Sequence, residues 1–242
     1  MFQLNKKINV VATVLFALSS VIATGVMAIE KQACDVAADI ALKAENYPAA
    51  IDLHRKFLQS EEDSAIAHYH LGFAYGMIGR VSDEISEYRS AIALGFNTWD
   101  LFLNLGLAYY DQHDLMGATT ALERAVSLGP QYADTHFNLA VVYERENRLT
   151  EALREIIAAL ILAPENLDAA NTDAVICAKM GDLASARNIW KQLLQAAPDY
   201  APARTNLAVL GRWCRGSCSP SNATGSVLVS HVRSEETATF MH

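Results

Sequence analysis

The sequence of 242 residues lacks the features that mark nucleic-acid binding or catalysis. It has 19 lysines and arginines against 27 aspartates and glutamates, a net charge of −8, and no basic cluster beyond its N-terminus. Because nucleic-acid binding depends on lysine and arginine at the phosphates, we predict no nucleic-acid partner. The sequence also contains no Walker-type phosphate loop, Gly-x-Ser-x-Gly elbow, His-Glu-x-x-His pair or Cys-x-x-Cys motif. We therefore predict no enzymatic activity and no cofactor.

Cysteine is scarce, and only one pair of cysteines is close in the sequence. Cys214 and Cys218 lie in a Gly- and Ser-rich stretch, where they could form a disulfide or remain two unpaired thiols. A zinc site there would need two more ligands, and only His231 and His242 are nearby. The sequence therefore predicts no metal site.

An uncharged apolar run, from Ile8 to Ile29, lies near the N-terminus and follows two lysines. Its pattern fits a secretory signal cleaved after Ala28, or a membrane anchor that crosses about 30 Å of hydrocarbon. We assign residues 1–28 to one of these two segments, which engages the membrane during export or as an anchor. Either one sends the rest of the chain out of the cytoplasm, because the positive charge stays inside. We expect it in a bacterial periplasm, soluble or anchored to the inner membrane.

The clearest pattern is a repeat of 34 residues, which recurs five times without a gap from Lys31 to Tyr200. Small residues recur at positions 8, 20 and 27 of the unit, tyrosine at position 11 and proline at position 32. The recurring residues are Ala38, Gly72, Gly106, Ala140, Ala174 and Ala208 at position 8; Tyr75, Tyr109 and Tyr143 at 11; Ala50, Ala118, Ala152 and Ala186 at 20; Ala91, Ala125 and Ala159 at 27; and Pro130, Pro164 and Pro198 at 32.

Each unit predicts two helices packed as a hairpin. In the unit 65–98, Leu71 and Tyr75 fall at helical spacing, Gly79 interrupts, and Ile85 opens a second apolar stripe. Small side chains allow the helices to approach closely, and proline stops the second helix because it lacks a backbone donor. One hairpin cannot bury both stripes, so the units are expected to stack.

These positions together resemble the tetratricopeptide repeat, from Lys31 to about Trp213, and specifically the exported, envelope-associated bacterial proteins of this type. The resemblance implies an all-α, right-handed superhelical solenoid of about five hairpins plus a C-terminal capping helix. We expect a solenoid over 29–213 and a disordered tail over 214–242, which is rich in Ser, Gly and Thr. The units are 31–64, 65–98, 99–132, 133–166 and 167–200, and the capping helix is 201–213.

By the same resemblance, positions 2, 5, 6, 9, 12 and 13 of each first helix face a concave groove. Units two to four would present there an apolar stripe, together with asparagines that can hold a peptide backbone. The alternative is that some of these side chains pack against neighbouring first helices, or against the N-terminal segment folded back onto them. A carboxylate clamp needs lysine at position 5 and asparagine at position 9, and these positions are apolar in units two to four, so the clamp is absent there. The predicted groove residues are Tyr69, Phe73, Leu103, Asn104, Leu107, Tyr110, Phe137, Asn138 and Val141.

The function implied by the resemblance is a non-catalytic interaction scaffold or assembly factor of the cell envelope. It would bind a helical or extended apolar segment of a protein or peptide partner in the groove. The alternatives are a periplasmic chaperone for unfolded exported proteins and a regulatory subunit of a membrane or cell-wall enzyme. The pattern does not identify the partner or the oligomeric state.

Several polar residues occupy positions where packing or solvent is expected. Histidines replace bulky aromatic residues at two positions of the unit: His54 at position 24, and His68 and His136 at position 4. We expect all three to pack in the core. Paired acids such as Asp83 and Glu84 are expected on solvated faces.

Asp173 stands where the other full units mostly have leucine, and a lone buried carboxylate is costly. Either the fifth hairpin admits water to it, or it meets a donor such as Lys179 or Arg204. Cys177, at the tyrosine position, is expected to be a small core residue.

Overall fold

A computed structural model of the protein describes residues 35–213. Over this range the chain forms eleven α-helices and no strand. The helices are α1 (Val36–Lys43), α2 (Tyr47–Leu58), α3 (Ala65–Met77), α4 (Val81–Ala93), α5 (Trp99–Asp111), α6 (Leu115–Leu128), α7 (Ala133–Arg145), α8 (Leu149–Leu162), α9 (Leu167–Lys179), α10 (Leu183–Ala196) and α11 (Ala201–Trp213).

The helices pair in the order that the repeat predicts, with one hairpin in each 34-residue unit. Each first helix packs against its own second helix, from α1 with α2 to α9 with α10. Second helices also pack against the first helix of the next unit, as α2 does against α3 and α6 against α7. The predicted all-α fold of stacked hairpins is therefore confirmed.

The described part of the chain divides into two compact bodies, which meet in the sequence between Phe96 and Asn97. The first contains α1 to α4, and the second contains α5 to α11. The predicted signal or anchor (1–28), the tail (214–242) and the Cys214–Cys218 pair lie outside the described residues. In the described part of the chain, no helix has the length and apolar character needed to cross a membrane.

Each hairpin is built around one buried side chain at position 24 of the unit. That side chain lies against the small residue at position 8, as Leu122 does against Gly106, where an added Cβ would be 2.6 Å from Leu122 Cγ. The predicted close approach of the two helices thus depends on a small residue facing a large one. The residues at position 24 are fully buried in every unit: His54, Tyr88, Leu122, Ile156 and Trp190.

The turn inside each hairpin has the same backbone conformation in all five units. Position 15, just beyond the first helix, has a left-handed φ between 57° and 91°. This conformation commonly ends a helix, and glycine adopts it without a steric penalty. Only two units place glycine there: the residues are Glu45, Gly79, His113, Asn147 and Gly181.

The second helices begin in two alternating ways. In units one, three and five, Asn46, Asp114 and Asp182 accept the backbone N–H three residues later, at 3.4, 2.9 and 3.0 Å. In units two and four, Arg80 and Arg148 occupy this place and their Nε atoms donate to an acidic side chain three residues later, at 2.7 and 3.1 Å. Each guanidinium also lies over the position-11 tyrosine, 4.6 or 4.2 Å from the ring centroid. The chain therefore also has a longer period of two units.

Candidate functional site

The nine residues predicted to line a groove lie on α3, α5 and α7, the first helices of units two to four. Tyr69 and Phe73 belong to the first body, and the other seven belong to the second. Three of the nine, Phe73, Asn104 and Tyr110, are half-buried. The buried ones are Tyr69, Leu103, Leu107, Phe137, Asn138 and Val141.

Contacts between consecutive first helices explain this burial in the second body. Helix α5 packs against α7, and Leu103, Leu107, Phe137 and Val141 belong to one apolar core. The alternative of packing against neighbouring first helices thus accounts for these four side chains, which form core and not an exposed apolar patch. A binding role for the groove residues stays a prediction, and the accessible ones in this body are Asn104 and Tyr110.

The polar side chains at position 6 are largely used inside the fold. Asn138 Nδ2 donates to the carbonyl oxygen of Asp134 at 2.8 Å, and Thr172 Oγ1 donates to that of Asp168 at 2.8 Å. Both contacts run back one turn along the same helix. The Oδ1 atom of Asn138 is buried and has no hydrogen-bond partner among the described residues.

The third asparagine at this position, Asn206, belongs to a buried network at the end of the described chain. Its Nδ2 donates to Asn171 Oδ1 at 3.0 Å, and Trp190 Nε1 donates to the same oxygen at 3.0 Å. A single amide oxygen thus joins α9, α10 and α11. A buried acceptor is costly to leave unsatisfied. The amide of Asn206 is therefore used to stabilise the fold and not to bind a peptide.

Charged residues flank the buried centre of the first helices in the second body. At position 2, Asp168 accepts from the hydroxyl of Tyr200 at 2.5 Å, and burial raises the pKa of Asp134. At position 13, the ammonium of Lys179 pairs with the buried carboxylate of Glu144. The half-buried residues at position 2 are Asp100, Asp134 and Asp168, and the exposed residues at position 13 are Asp111, Arg145 and Lys179.

Units two and four each contain a histidine bound to a glutamate 19 residues later. His68 Nδ1 is 2.6 Å from Glu87 Oε2, and its Nε2 is 3.3 Å from a backbone oxygen. His136 makes the same contacts, at 2.7 Å to Glu155 Oε2 and 3.1 Å to a backbone oxygen. The hydrogen bond to Glu87 raises the pKa of His68. These histidines were expected to pack only; instead they bind a glutamate, as the spacing of 19 in both units could have indicated.

Glu84 is buried, contrary to the expectation that it is solvated. It stands at position 20, where the other full units have alanine, and its carboxylate fills the space that a Cβ on Gly76 would occupy. A glycine on the facing helix thus makes room for an acid.

Asp173 meets neither of the donors proposed for it. It accepts from the thiol of Cys177, one turn later, at 3.7 Å, whereas Lys179 pairs with Glu144 and Arg204 with Asp199. Asp173 is half-buried, and burial raises its pKa. Burial, followed by the charge of Asp173, raises the pKa of Cys177 to about 11, so this half-buried thiol is protonated at neutral pH.

Comparison with known proteins agrees with this architecture. The sequence profile of the tetratricopeptide repeat matches residues 36–95 and 103–171, more than half of the chain. The chain belongs to the tetratricopeptide repeat family. The two matched segments each span about two units, the period at which the helix caps alternate. This tetratricopeptide repeat protein matches no curated protein sequence.

Solved tetratricopeptide repeat structures resemble the protein in fold. YrrB, described as having an unusual peptide-binding site, is 22% identical with a TM-score of 0.66, covering 70% of this chain and 87% of its own. MamA from Desulfovibrio magneticus RS-1 is 15% identical with a TM-score of 0.63, covering 67% and 92%. A thermophilic protein from Thermus thermophilus is 22% identical with a TM-score of 0.53, covering 72% and 95%. At these identities the likeness concerns the fold, which is typically that of a non-catalytic protein-interaction scaffold.

Proposed function

We propose that this protein is a non-catalytic scaffold or assembly factor, and that it binds a helical or extended segment of another protein along its first helices. The observation that carries this proposal is the mixed character of α5. Asn104 and Tyr110 remain half-buried there, while Leu103 and Leu107 on the same helix are buried in the core. Side chains held by a packed core offer a rigid contact surface at low entropic cost.

The chemistry of these residues defines the segment that would bind. The ring of Tyr110 offers an apolar contact with a hydroxyl at its edge, and the amide of Asn104 can both donate and accept. The aspartates at position 2 and the charged residues at position 13 add polar contacts at the two ends of the first helices. The partner segment would therefore carry an apolar anchor flanked by polar or charged groups, and not be apolar throughout.

The same proposal places the protein in the bacterial cell envelope. Its support is the uncharged apolar run from Ile8 to Ile29, which follows two lysines in the pattern of an export signal or an anchor. Fractionation of producing cells, with mass spectrometry of the N-terminal peptide, tests this part separately. A periplasmic product that begins at Ile29 supports cleavage, an intact membrane-bound product supports the anchor, and a cytoplasmic product contradicts export.

Crosslinking and capture from native envelopes test the binding face. We would compare the full chain with an Asn104→Ala, Tyr110→Ser double variant, and use circular dichroism to show that both are helical. The matched control is Met116→Ser on the second helix α6, which removes a side chain that is 78% exposed and lies outside the first helices.

We expect the double variant to lose a stoichiometric partner that the wild type and the Met116→Ser control retain. Truncating a central aromatic anchor typically costs about 2 kcal/mol or more of binding free energy. Equal capture by all three proteins would contradict binding on α5. Weak capture of many unrelated proteins would favour the chaperone alternative.

A further inference from the structure

We propose that the first body contains a divalent transition-metal site formed by Asp39 on α1, His54 on α2 and His70 on α3. One donor atom from each of these three side chains lies within 4.8 Å of the other two. His70 Nδ1 is 2.8 Å from Asp39 Oδ1, and His54 Nε2 is 3.9 Å from the same oxygen. The centroids of the two imidazole rings are 5.5 Å apart. We propose Zn²⁺ as the metal that binds there.

Each of the three residues departs from the repeat pattern, and the departures meet at one place. At position 24 His54 replaces a large packing residue, and at position 9 Asp39 stands where every other unit is apolar. His70 takes position 6, where the later units have asparagine or threonine. A single substitution of this kind could be a packing variation. Three that converge on one point, all with metal-ligating side chains, point to a bound cation.

The spacing of the donor atoms suits tetrahedral zinc. Zinc binds histidine nitrogen and carboxylate oxygen at about 2.0–2.2 Å, which separates two ligand atoms by about 3.3–3.5 Å. The two separations from Asp39 Oδ1, 2.8 and 3.9 Å, bracket that value, and all three donor atoms lie within 4.8 Å of one another, so side-chain rotations within the cluster would bring them to ligating distance. Two nitrogens and one oxygen are a common zinc ligand set, and leave a fourth position for water.

Burial and charge around the cluster also favour a cation. The imidazole of His54 is fully buried, so packing holds it in place, and 30% of the Asp39 side chain is exposed, which gives a route for the metal. Asp35, which caps α1 through its side chain, adds a second negative charge near His54. A preorganised ligand of this kind loses little entropy on binding.

The experiment uses the full chain, stripped of metal, and titrates it with ZnCl2 by calorimetry under reducing conditions. The ligand variants take residues that occur at the same repeat position elsewhere, so that the hairpins keep their packing: His54→Leu, His70→Asn and Asp39→Val. The matched control is His136→Phe, which removes a histidine bound to a carboxylate in the second body. Titration with Co²⁺ gives a second readout, because thiolate ligands add a near-ultraviolet charge-transfer band that nitrogen and oxygen ligands lack.

We expect one Zn²⁺ per chain, a rise in melting temperature of the wild type with Zn²⁺, and a Co²⁺ complex without thiolate bands. Loss of any one ligand should weaken binding by more than the roughly 10–100-fold that loss of an outer-shell contact costs. His136→Phe should bind as the wild type does. The proposal is wrong if no Zn²⁺ binds, if the Co²⁺ spectrum shows thiolate ligands, or if the folded ligand variants bind as tightly as the control. In each of these cases the His70–Asp39 contact is only a structural tie between α1 and α3.

Discussion

The ring of Tyr88 occupies the space that a side chain on Gly72 would need. An added Cβ at Gly72 would be 2.7 Å from Tyr88 Cδ1, closer than real Cβ contacts come. The two residues stand at positions 8 and 24 of unit two and hold α3 against α4. The same pair of positions is Gly106 with Leu122 in unit three and Ala140 with Ile156 in unit four. The fold thus couples the sizes of two residues in every hairpin.

This coupling predicts that Gly72→Ala destabilises the protein and that a second substitution rescues it. The added methyl group should cost about 1–3 kcal/mol of unfolding free energy, because Tyr88 is fully buried and cannot move aside. The double variant Gly72→Ala, Tyr88→Ile reproduces the pair of unit four and should recover part of the loss. Urea unfolding of the four proteins in this cycle measures the coupling. Strictly additive effects would contradict it.

The left-handed turn at position 15 predicts a stabilising substitution. His113 has φ of 63° and no side-chain packing to offset it, since it is exposed. His113→Gly should therefore raise the unfolding free energy by about 1 kcal/mol, because glycine adopts this conformation without a steric penalty.

Gln112→Gly is the control for this turn. Residue 112 is adjacent and has φ of −81°, so glycine relieves nothing there and should be neutral or destabilising. Melting curves of the two variants and the wild type make the comparison. Equal destabilisation by both glycines would show that the turn is not strained at His113.

The contact between His68 and Glu87 predicts a pH-dependent contribution to stability. The hydrogen bond to Glu87 raises the pKa of His68 above its ordinary value of 6.5, so the native state holds this proton more tightly than the unfolded state does. The contribution is full below pH 6.5 as long as Glu87 is ionised, and it is lost as the pH rises through the folded-state pKa.

Glu87→Gln removes the negative charge that favours the protonated imidazole and keeps the shape of the side chain. The stability difference between the wild type and this variant should be about 1–2 kcal/mol near pH 6 and smaller near pH 8. Urea midpoints measured across that range provide the test. A difference that does not change with pH, or that grows toward pH 8, would contradict the assignment.

Asp173 predicts a stabilising change at a position where leucine recurs. Burial raises the pKa of Asp173, so its carboxylate is destabilising at neutral pH and becomes less so as the pH falls through the folded-state pKa. Asp173→Leu should raise the unfolding free energy by about 1 kcal/mol at pH 7, with a smaller gain near pH 4. Asp199→Leu, a change at an exposed aspartate, is the control and should give no gain. If Asp173→Leu also leaves the unfolding free energy unchanged, the carboxylate of Asp173 is fully solvated by water and the prediction is wrong.

Most of the hairpin architecture could be predicted from the sequence, and most of the candidate site could not. The small residue at position 8 and the breaks between helices are separated by fixed intervals, so their pairing follows from spacing. The exposure of Leu107 or Val141 does not, because it depends on how closely the next first helix approaches. Glu84 was misjudged for another reason: the space that receives it is opened by Gly76 on the facing helix of the same hairpin, and the repeat pattern does not show that these two positions meet.

By itself the sequence determined the all-α fold, the pairing of the helices into hairpins and the order of those hairpins along the chain. These features are local, because residues within one unit meet at helical spacing. Tertiary structure decided which first-helix side chains remain accessible, and it brought Asp39, His54 and His70 from three helices to within 4.8 Å. The accessibility of first-helix side chains depends on how one unit packs against the next, and His70 joins Asp39 and His54 from the following unit, so no spacing within a single unit encodes either result.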